Sequence, residues 1–155
     1  MSARIIDGKA VSAEVRERVR REVTEYERAA GRTPALATVI VGDDPASQIY
    51  VANKHKACEA AGMRSVHHGL SGETTQEELL GLVRDLGADD DVDGILVQLP
   101  LPGHLDSAAV VAALDPRKDV DGLTPTSAGL LASGAPGLVP CCGHTPVTME
   151  KCAAT

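Results

Sequence analysis

Two short runs constrain this chain more than anything else in it. Ala35-Leu36-Ala37-Thr38-Val39-Ile40-Val41 and Ile95-Leu96-Val97-Gln98-Leu99 are almost wholly apolar. Neither alternates apolar with polar residues, so neither suits a sheet with one wet face. Both read as strands buried on both sides, the pattern of a parallel sheet with helices above and below it.

The intervening segments supply the helices. Residues 9–30 carry Val11, Val15, Val19, Val23, Tyr26 and Ala30 on one stripe, and Gly31 suits the position just past a helix end. After the turn Gly42-Asp43-Asp44-Pro45, Asp44 is a candidate N-cap and Pro45 a first helical residue, with Gly62 closing that helix. A weaker strand covers 64–70. Thr75 and Glu78 form a capping box ahead of Leu79, Leu82, Val83 and Leu86. Asp106 caps a short helix through Leu114; a polar loop at 115–122 and an apolar stretch around Leu130 follow. The expected architecture is α/β, a three-layer sandwich whose mostly parallel sheet is covered by helices on both faces. Ligands in such folds sit beyond the carboxyl ends of the strands, here Val41-Gly42 and Leu99-Pro100.

Composition removes several function classes. The 155 residues suit one domain, and the formal net charge is −7 with no basic stripe, which argues against nucleic acid as a partner. There are two tyrosines and no phenylalanine or tryptophan, so stacking platforms for single strands are missing. No apolar run approaches the ~20 residues that cross a bilayer. Asp7 follows the start too soon for a signal peptide, and the expected location is cytoplasmic. Cys58, Cys141, Cys142 and Cys152 are not spaced as a disulfide framework. With His144, the last three fit no standard zinc pattern, so no metal is expected. His67 and His68 read as ordinary surface.

Three features carry chemistry. In the second helix Ser47, Tyr50, Val51, Lys54, Ala57, Cys58 and Ala61 share one face, opposite Gln48, Asn53, Lys56 and Glu59. Lys54 thus stands inside an apolar stripe. There it either snorkels out or loses proton affinity by burial and becomes an acid–base group near neutrality. Tyr50 is either a core aromatic with a wet hydroxyl or a flat face for a ligand ring, and Ser47 either bonds free backbone N–H groups or serves the site. Gln98 is the polar side chain in its apolar run, at the carboxyl end of the strand, and its amide needs partners. In the loop 118–122, Asp119 and Asp121 hold a ligand amine, a metal, or nothing but a turn.

Taken together, three segments resemble one family. They are Val41-Gly42-Asp43-Asp44-Pro45-Ala46-Ser47-Gln48-Ile49-Tyr50-Val51-Ala52-Asn53-Lys54-His55-Lys56-Ala57-Cys58, then Asp93-Gly94-Ile95-Leu96-Val97-Gln98-Leu99-Pro100-Leu101-Pro102, then Lys118-Asp119-Val120-Asp121-Gly122. In this order and spacing they are similar to the bifunctional methylenetetrahydrofolate dehydrogenase/methenyltetrahydrofolate cyclohydrolase (FolD) family, from about residue 5 to residue 141. The resemblance implies oxidation of 5,10-methylenetetrahydrofolate with NADP, and hydrolysis of the methenyl product to 10-formyltetrahydrofolate. It implies Lys54 as the catalytic acid–base and Tyr50 as the aromatic stacked on the folate. Gln98 is implied to tune the lysine, Ser47 to orient it and Asp121 to hold the pterin, with Leu99 and Pro100 as a wall beside the substrate. The implied partners are tetrahydrofolate derivatives and, as family members are commonly homodimers, a second copy.

The resemblance departs near the end. The family pattern Pro-Cys-Thr-Pro is interrupted here, where Cys142-Gly143-His144 follows Pro140-Cys141. No Gly-x-Gly-x-x-Gly appears to hold a dinucleotide. The expectation is a folate-binding catalytic domain at 1–140, a divergent tail at 141–155, no NADP-binding Rossmann domain, and at most the cyclohydrolase step. A non-catalytic folate-binding module and an inactive truncated product are the alternatives.

Overall fold

A computed structural model describes residues 7–138. The tail at 141–155, with Cys141, Cys142, His144 and Cys152, lies outside the described residues. The chain runs α1 (Gly8–Ala30), β1 (Ala35–Val41), α2 (Pro45–Ala60), β2 (Arg64–Leu70), α3 (Gln76–Ala88), β3 (Gly94–Val97), α4 (Ser107–Ala113) and α5 (Pro125–Ser133). The strands form one sheet in the order β2-β1-β3, with both pairings parallel.

The register sorts side chains between two layers. Ala37 pairs with Ile95 and Val39 with Val97. These face Leu79, Val83 and Leu86 of α3 and Val110 of α4, all buried in one cluster. The opposite face presents Thr38, Ile40 and Leu96, also buried, towards α2. Covering both faces is what permits the continuous apolar runs.

The local signals behave as their chemistry requires. Asp44 caps α2 by accepting from Ser47 N, with Pro45 in the first turn. The Thr75–Glu78 capping box is complete. Asp106 accepts from Ala108 N and Ala109 N at the start of α4. One stretch left unassigned is now defined, and one expectation needs correction. The stretch around Leu130 is a helix, α5, capped by Thr124, begun by Pro125 and ended by Gly134 at φ 71°. The stripe on α1 is not a buried face: Val23 is buried, but Val11 and Val15 are 51% and 42% exposed. A helix of 23 residues is about 35 Å long. Its described hydrogen bonds to other elements begin at Arg20, which donates to Ala60 O, and Val23 lies beside Gly62.

α1 and the sheet are joined at Asp93. Its carboxylate accepts from Tyr26 Oη at 2.8 Å, from Arg32 Nη1 and Nη2 at 2.7 and 2.6 Å, and from Ala35 N at 2.8 Å. Hydrogen bonds from Arg32 lead the forces that hold the Asp93 carboxyl down at about 2, against a burial effect in the other direction.

Asp93→Asn puts amide N–H groups where Arg32 and Ala35 donate, and should cost about 1–3 kcal/mol. Because the folded carboxyl titrates below its ordinary 3.8, its stabilisation is complete above that pH and is lost as pH falls towards about 2. Acid unfolding followed by circular dichroism should therefore be shallower across that window in Asp93→Asn than in the wild type. Superimposable acid limbs would remove Asp93 as the clasp.

Candidate active site

The residues singled out from the sequence stand where three segments end. α2 leaves the carboxyl end of β1 and carries Ser47, Tyr50 and Lys54. Gln98, Leu99 and Pro100 follow β3, with a cis Leu99–Pro100 bond. Asp121 stands in the loop after α4. That loop is docked on the sheet, since Ile95 N donates to Lys118 O at 2.7 Å and Asp119 bridges to Ile95 in parallel register. Gly94 makes the docking possible: a Cβ there would lie 2.5 Å from Val120 Cγ1.

The stripe on α2 is narrower than its spacing suggests. Ser47 and Val51 are the helix's buried residues, and Lys54 is half-buried. Tyr50 is not a core aromatic: it is 53% exposed. Its ring lies beneath the ammonium of Lys54, with Nζ 4.4 Å from the ring centroid. This is a cation–π pair one helical turn apart. Ser47 does not begin the helix by bonding free N–H groups with its hydroxyl; the Asp44 carboxylate has that role. Hydrogen bonds from Ser47, the backbone N–H foremost, pull that carboxyl below its ordinary value.

The two acids of the loop divide. Asp119 is buried and accepts from Leu123 N at 3.2 Å, Thr124 N at 2.8 Å and Ser127 Oγ at 2.9 Å. Burial alone would raise its pKa, but these hydrogen bonds together bring it below the usual carboxylate value. Asp119 therefore holds the loop, with three of its acceptor positions taken by the loop's own donors. Asp121, two residues on, is half-buried and accepts no hydrogen bond from the described residues. Burial pushes its carboxyl up, the nearby Lys54 ammonium pulls it back, and Asp119 adds to the rise. Lys54 is thus paired with the Tyr50 ring, and its charge reaches Asp121.

Gln98 is oriented but unsatisfied. Its Nε2 donates to Leu99 O at 2.7 Å, which fixes the amide's sense, because the flipped amide would set two oxygens together. Its Oε1 is buried without a partner, an acceptor waiting for a donor. No hydrogen bond joins Gln98 to Lys54 in this structure. Leu99 is half-buried and Pro100 exposed beside it.

His55 escaped the sequence reading. Its Nε2 lies 2.9 Å from Thr38 Oγ1 and its Nδ1 2.5 Å from Ser65 Oγ, and its ring meets that of His67 edge-on at 5.2 Å. Of the two histidines read as surface, His67 is exposed, but His68 is half-buried with its Nε2 buried and unpartnered. A polar residue spaced like a solvated one gave no signal of this; only the register of β1 against β2 places Thr38 and Ser65 under the helix. Among the described residues no group of three or more His, Cys, Asp or Glu is placed to hold a metal ion, and no helix is long and apolar enough to cross a membrane.

Comparison with known proteins points the same way. Residues 6–121 match the family described as tetrahydrofolate dehydrogenase/cyclohydrolase, catalytic domain. The bifunctional protein FolD of Sphingopyxis alaskensis is 60% identical over 139 residues, 90% of this chain and 46% of that protein. FolD of Rhodopseudomonas palustris strain TIE-1 is 56% identical over 151 residues, 97% of this chain and 51% of that protein. The chain spans about half the length of the curated relatives it matches. Among solved structures, FolD from Campylobacter jejuni superposes with a TM-score of 0.83 at 43% identity, covering 87% of this chain and 48% of that one. The Trypanosoma brucei methylenetetrahydrofolate dehydrogenase-cyclohydrolase, solved with NADP cofactor and inhibitor, gives 0.85 at 36%, covering 100% and 54%.

Thermal melts should separate the two acids. Asp119→Ala strands the N–H groups of Leu123 and Thr124 and should lose about 2–3 kcal/mol. Asp121→Asn should stay within about 0.5 kcal/mol of wild type. Equal losses in the two variants would contradict this division.

Proposed function

Because this chain belongs to the tetrahydrofolate dehydrogenase/cyclohydrolase family, we propose that it binds one-carbon tetrahydrofolates and hydrolyses 5,10-methenyltetrahydrofolate to 10-formyltetrahydrofolate. One observation carries the reading. Lys54 stands over the Tyr50 ring, and Asp121, which feels the Lys54 charge, accepts no hydrogen bond from the described residues, whereas Asp119 accepts three.

In this proposal Asp121, ionised, accepts N–H groups from the pterin, and the exposed ring of Tyr50 stacks against an aromatic part of the folate. The methenyl substrate is a cation. Set beside Lys54, it favours loss of the ammonium proton. Lys54 Nζ then takes a proton from water as the O–C bond forms at the methenyl carbon. It returns that proton to the ring nitrogen as the C–N bond breaks, and the remaining hydroxyl proton leaves to solvent as the formyl group forms. Gln98 Oε1, an acceptor without a donor, is suited to an N–H of lysine or substrate once one is bound. Ser47 supports Lys54 from the preceding turns of α2, and Leu99 and Pro100 wall the substrate.

The family's other reaction passes hydride to a dinucleotide, NADP in the T. brucei relative. The described residues do not fit that group. The helices of more than ten residues that start beyond described strand ends, α2 and α3, carry acids there, Asp44 at the first and Glu77 and Glu78 at the second, and these would repel a pyrophosphate. The proposal therefore assigns residues 7–138 to the folate end of the reaction. It also includes a folate domain at 1–140, a cytoplasmic setting and a homodimer, on the resemblance alone.

The test is methenyltetrahydrofolate hydrolysis by the 155-residue chain without nucleotide. Lys54→Met should lower the rate by about 10²–10⁴-fold. Asp121→Asn should weaken binding of a folate analogue by about 10–100-fold, with the melt unchanged. Binding should also weaken as pH falls through the raised titration of Asp121. A wild-type rate equal to the buffer blank, with saturable binding, would reduce the reading to a folate-binding module; absence of binding would end it.

A further inference from the structure

We propose that His55 is a positioning residue: by pinning α2 to two strands at once, it sets where Lys54 stands relative to Asp121.

The need for a pin is visible in the packing. Of the 16 residues of α2, Ser47 and Val51 are the buried ones. A groove of about 380 Å³ runs along the helix flank, lined by Ile40, Gln48, Val51, His55, Glu59 and His67 among others. Neither Lys54 nor Asp121 lines it. Apolar interdigitation therefore does little to stop α2 turning about its axis. A turn of ~20° would carry a side-chain atom ~6 Å from the axis through about 2 Å, enough to part a lysine from a carboxylate.

His55 resists that turn with two bonds in different directions. Nε2 reaches Thr38 Oγ1 on β1, and Nδ1 reaches Ser65 Oγ on β2. One proton arrangement satisfies the whole chain: the Ser65 hydroxyl donates to Nδ1, Nε2–H donates to Thr38 Oγ1, and the Thr38 hydroxyl donates to Val66 O at 3.4 Å. Both ring nitrogens are then used, so the imidazole is held in plane and in rotation. The neutral ring suits this chain, and burial, then the neighbouring His67, holds the His55 pKa below its ordinary value, with Glu59 opposing.

The far side of the coupling is equally fixed. Thr38 pairs with Leu96, and the next residue back, Ile95, takes the loop through Lys118 O and Asp119. A continuous path of hydrogen bonds and strand register thus leads from His55, adjacent to Lys54, to the loop that presents Asp121. The catalytic significance rests on the folate reading, but the geometry can be read without substrate.

The experiment follows the Asp121 carboxyl by carbon NMR in the 155-residue chain with labelled aspartate. Lys54→Met should raise its titration midpoint, because the ammonium that pulls it down is gone. His55→Leu should move the midpoint at least half as far, with Lys54 still present, and His55→Gln, which keeps a donor and an acceptor, should return it towards wild type. Ser65→Ala, which removes one bond at the rim, should move it part of the way and serves where His55→Leu does not fold. A midpoint shifted by Lys54→Met but unmoved by His55→Leu or Ser65→Ala would overturn the positioning role and leave the folate reading standing. A midpoint that Lys54→Met leaves in place would overturn both the role and the Lys54–Asp121 coupling it serves.

Discussion

The central strand is the datum of this molecule. β1 is hydrogen-bonded on both edges and covered on both faces, so none of its residues has anywhere else to go. Every group of chemical interest is indexed to it. α2 leaves its carboxyl end and is pinned back to it at Thr38. β3 lies beside it, Gln98 N donates to Val39 O, and the aspartate loop adds onto β3 at Ile95. Three remote segments are placed by one strand because that strand is the least negotiable part of the chain.

Within that frame the same side-chain type serves opposite ends. Asp93 and Asp119 accept four and three hydrogen bonds and work as fasteners, one between α1 and the sheet, the other inside the loop. Asp121 is left without such donors and is pushed towards the neutral form by its surroundings. Such a set of donors makes an acid structural, and its absence at a half-buried position makes an acid available. Lysine divides similarly: Lys118 spends its ammonium on Leu86 O and Asp89 O, whereas Lys54 lies over an aromatic ring.

Much of this was legible in the residues. The apolar runs announced a parallel sheet, and Asp44-Pro45, Thr75 with Glu78, and Asp106 announced helix starts, because these signals act over a few residues. Thr124-Pro125 carries the same kind of signal for α5. The resemblance singled out Asp121, but spacing alone did not divide it from Asp119, for both are acids in a turn, and only the fold supplies donors to one and not the other. The bare half of α1 was equally hidden, since periodicity shows which side of a helix is apolar but not how far the neighbouring layer extends along it. His55 lay deepest, because its partners sit 17 and 10 residues away on two strands.

An all-parallel sheet also governs the order in which such a chain can assemble. Among the described residues there is no hairpin in it, so none of its strand pairs forms from neighbours in sequence. The bond from Thr38 to Val66 spans 28 residues and that from Ala35 to Asp93 spans 58. Helices can form in nanoseconds to microseconds, but closing loops of this size is entropically costly before any contact rewards it, so the sheet must wait for its crossovers. The set of Tyr50, Lys54 and Asp121 draws on segments lying on either side of the last of these closures. Its assembly thus requires the longer of these closures, the one that brings the third strand to the first.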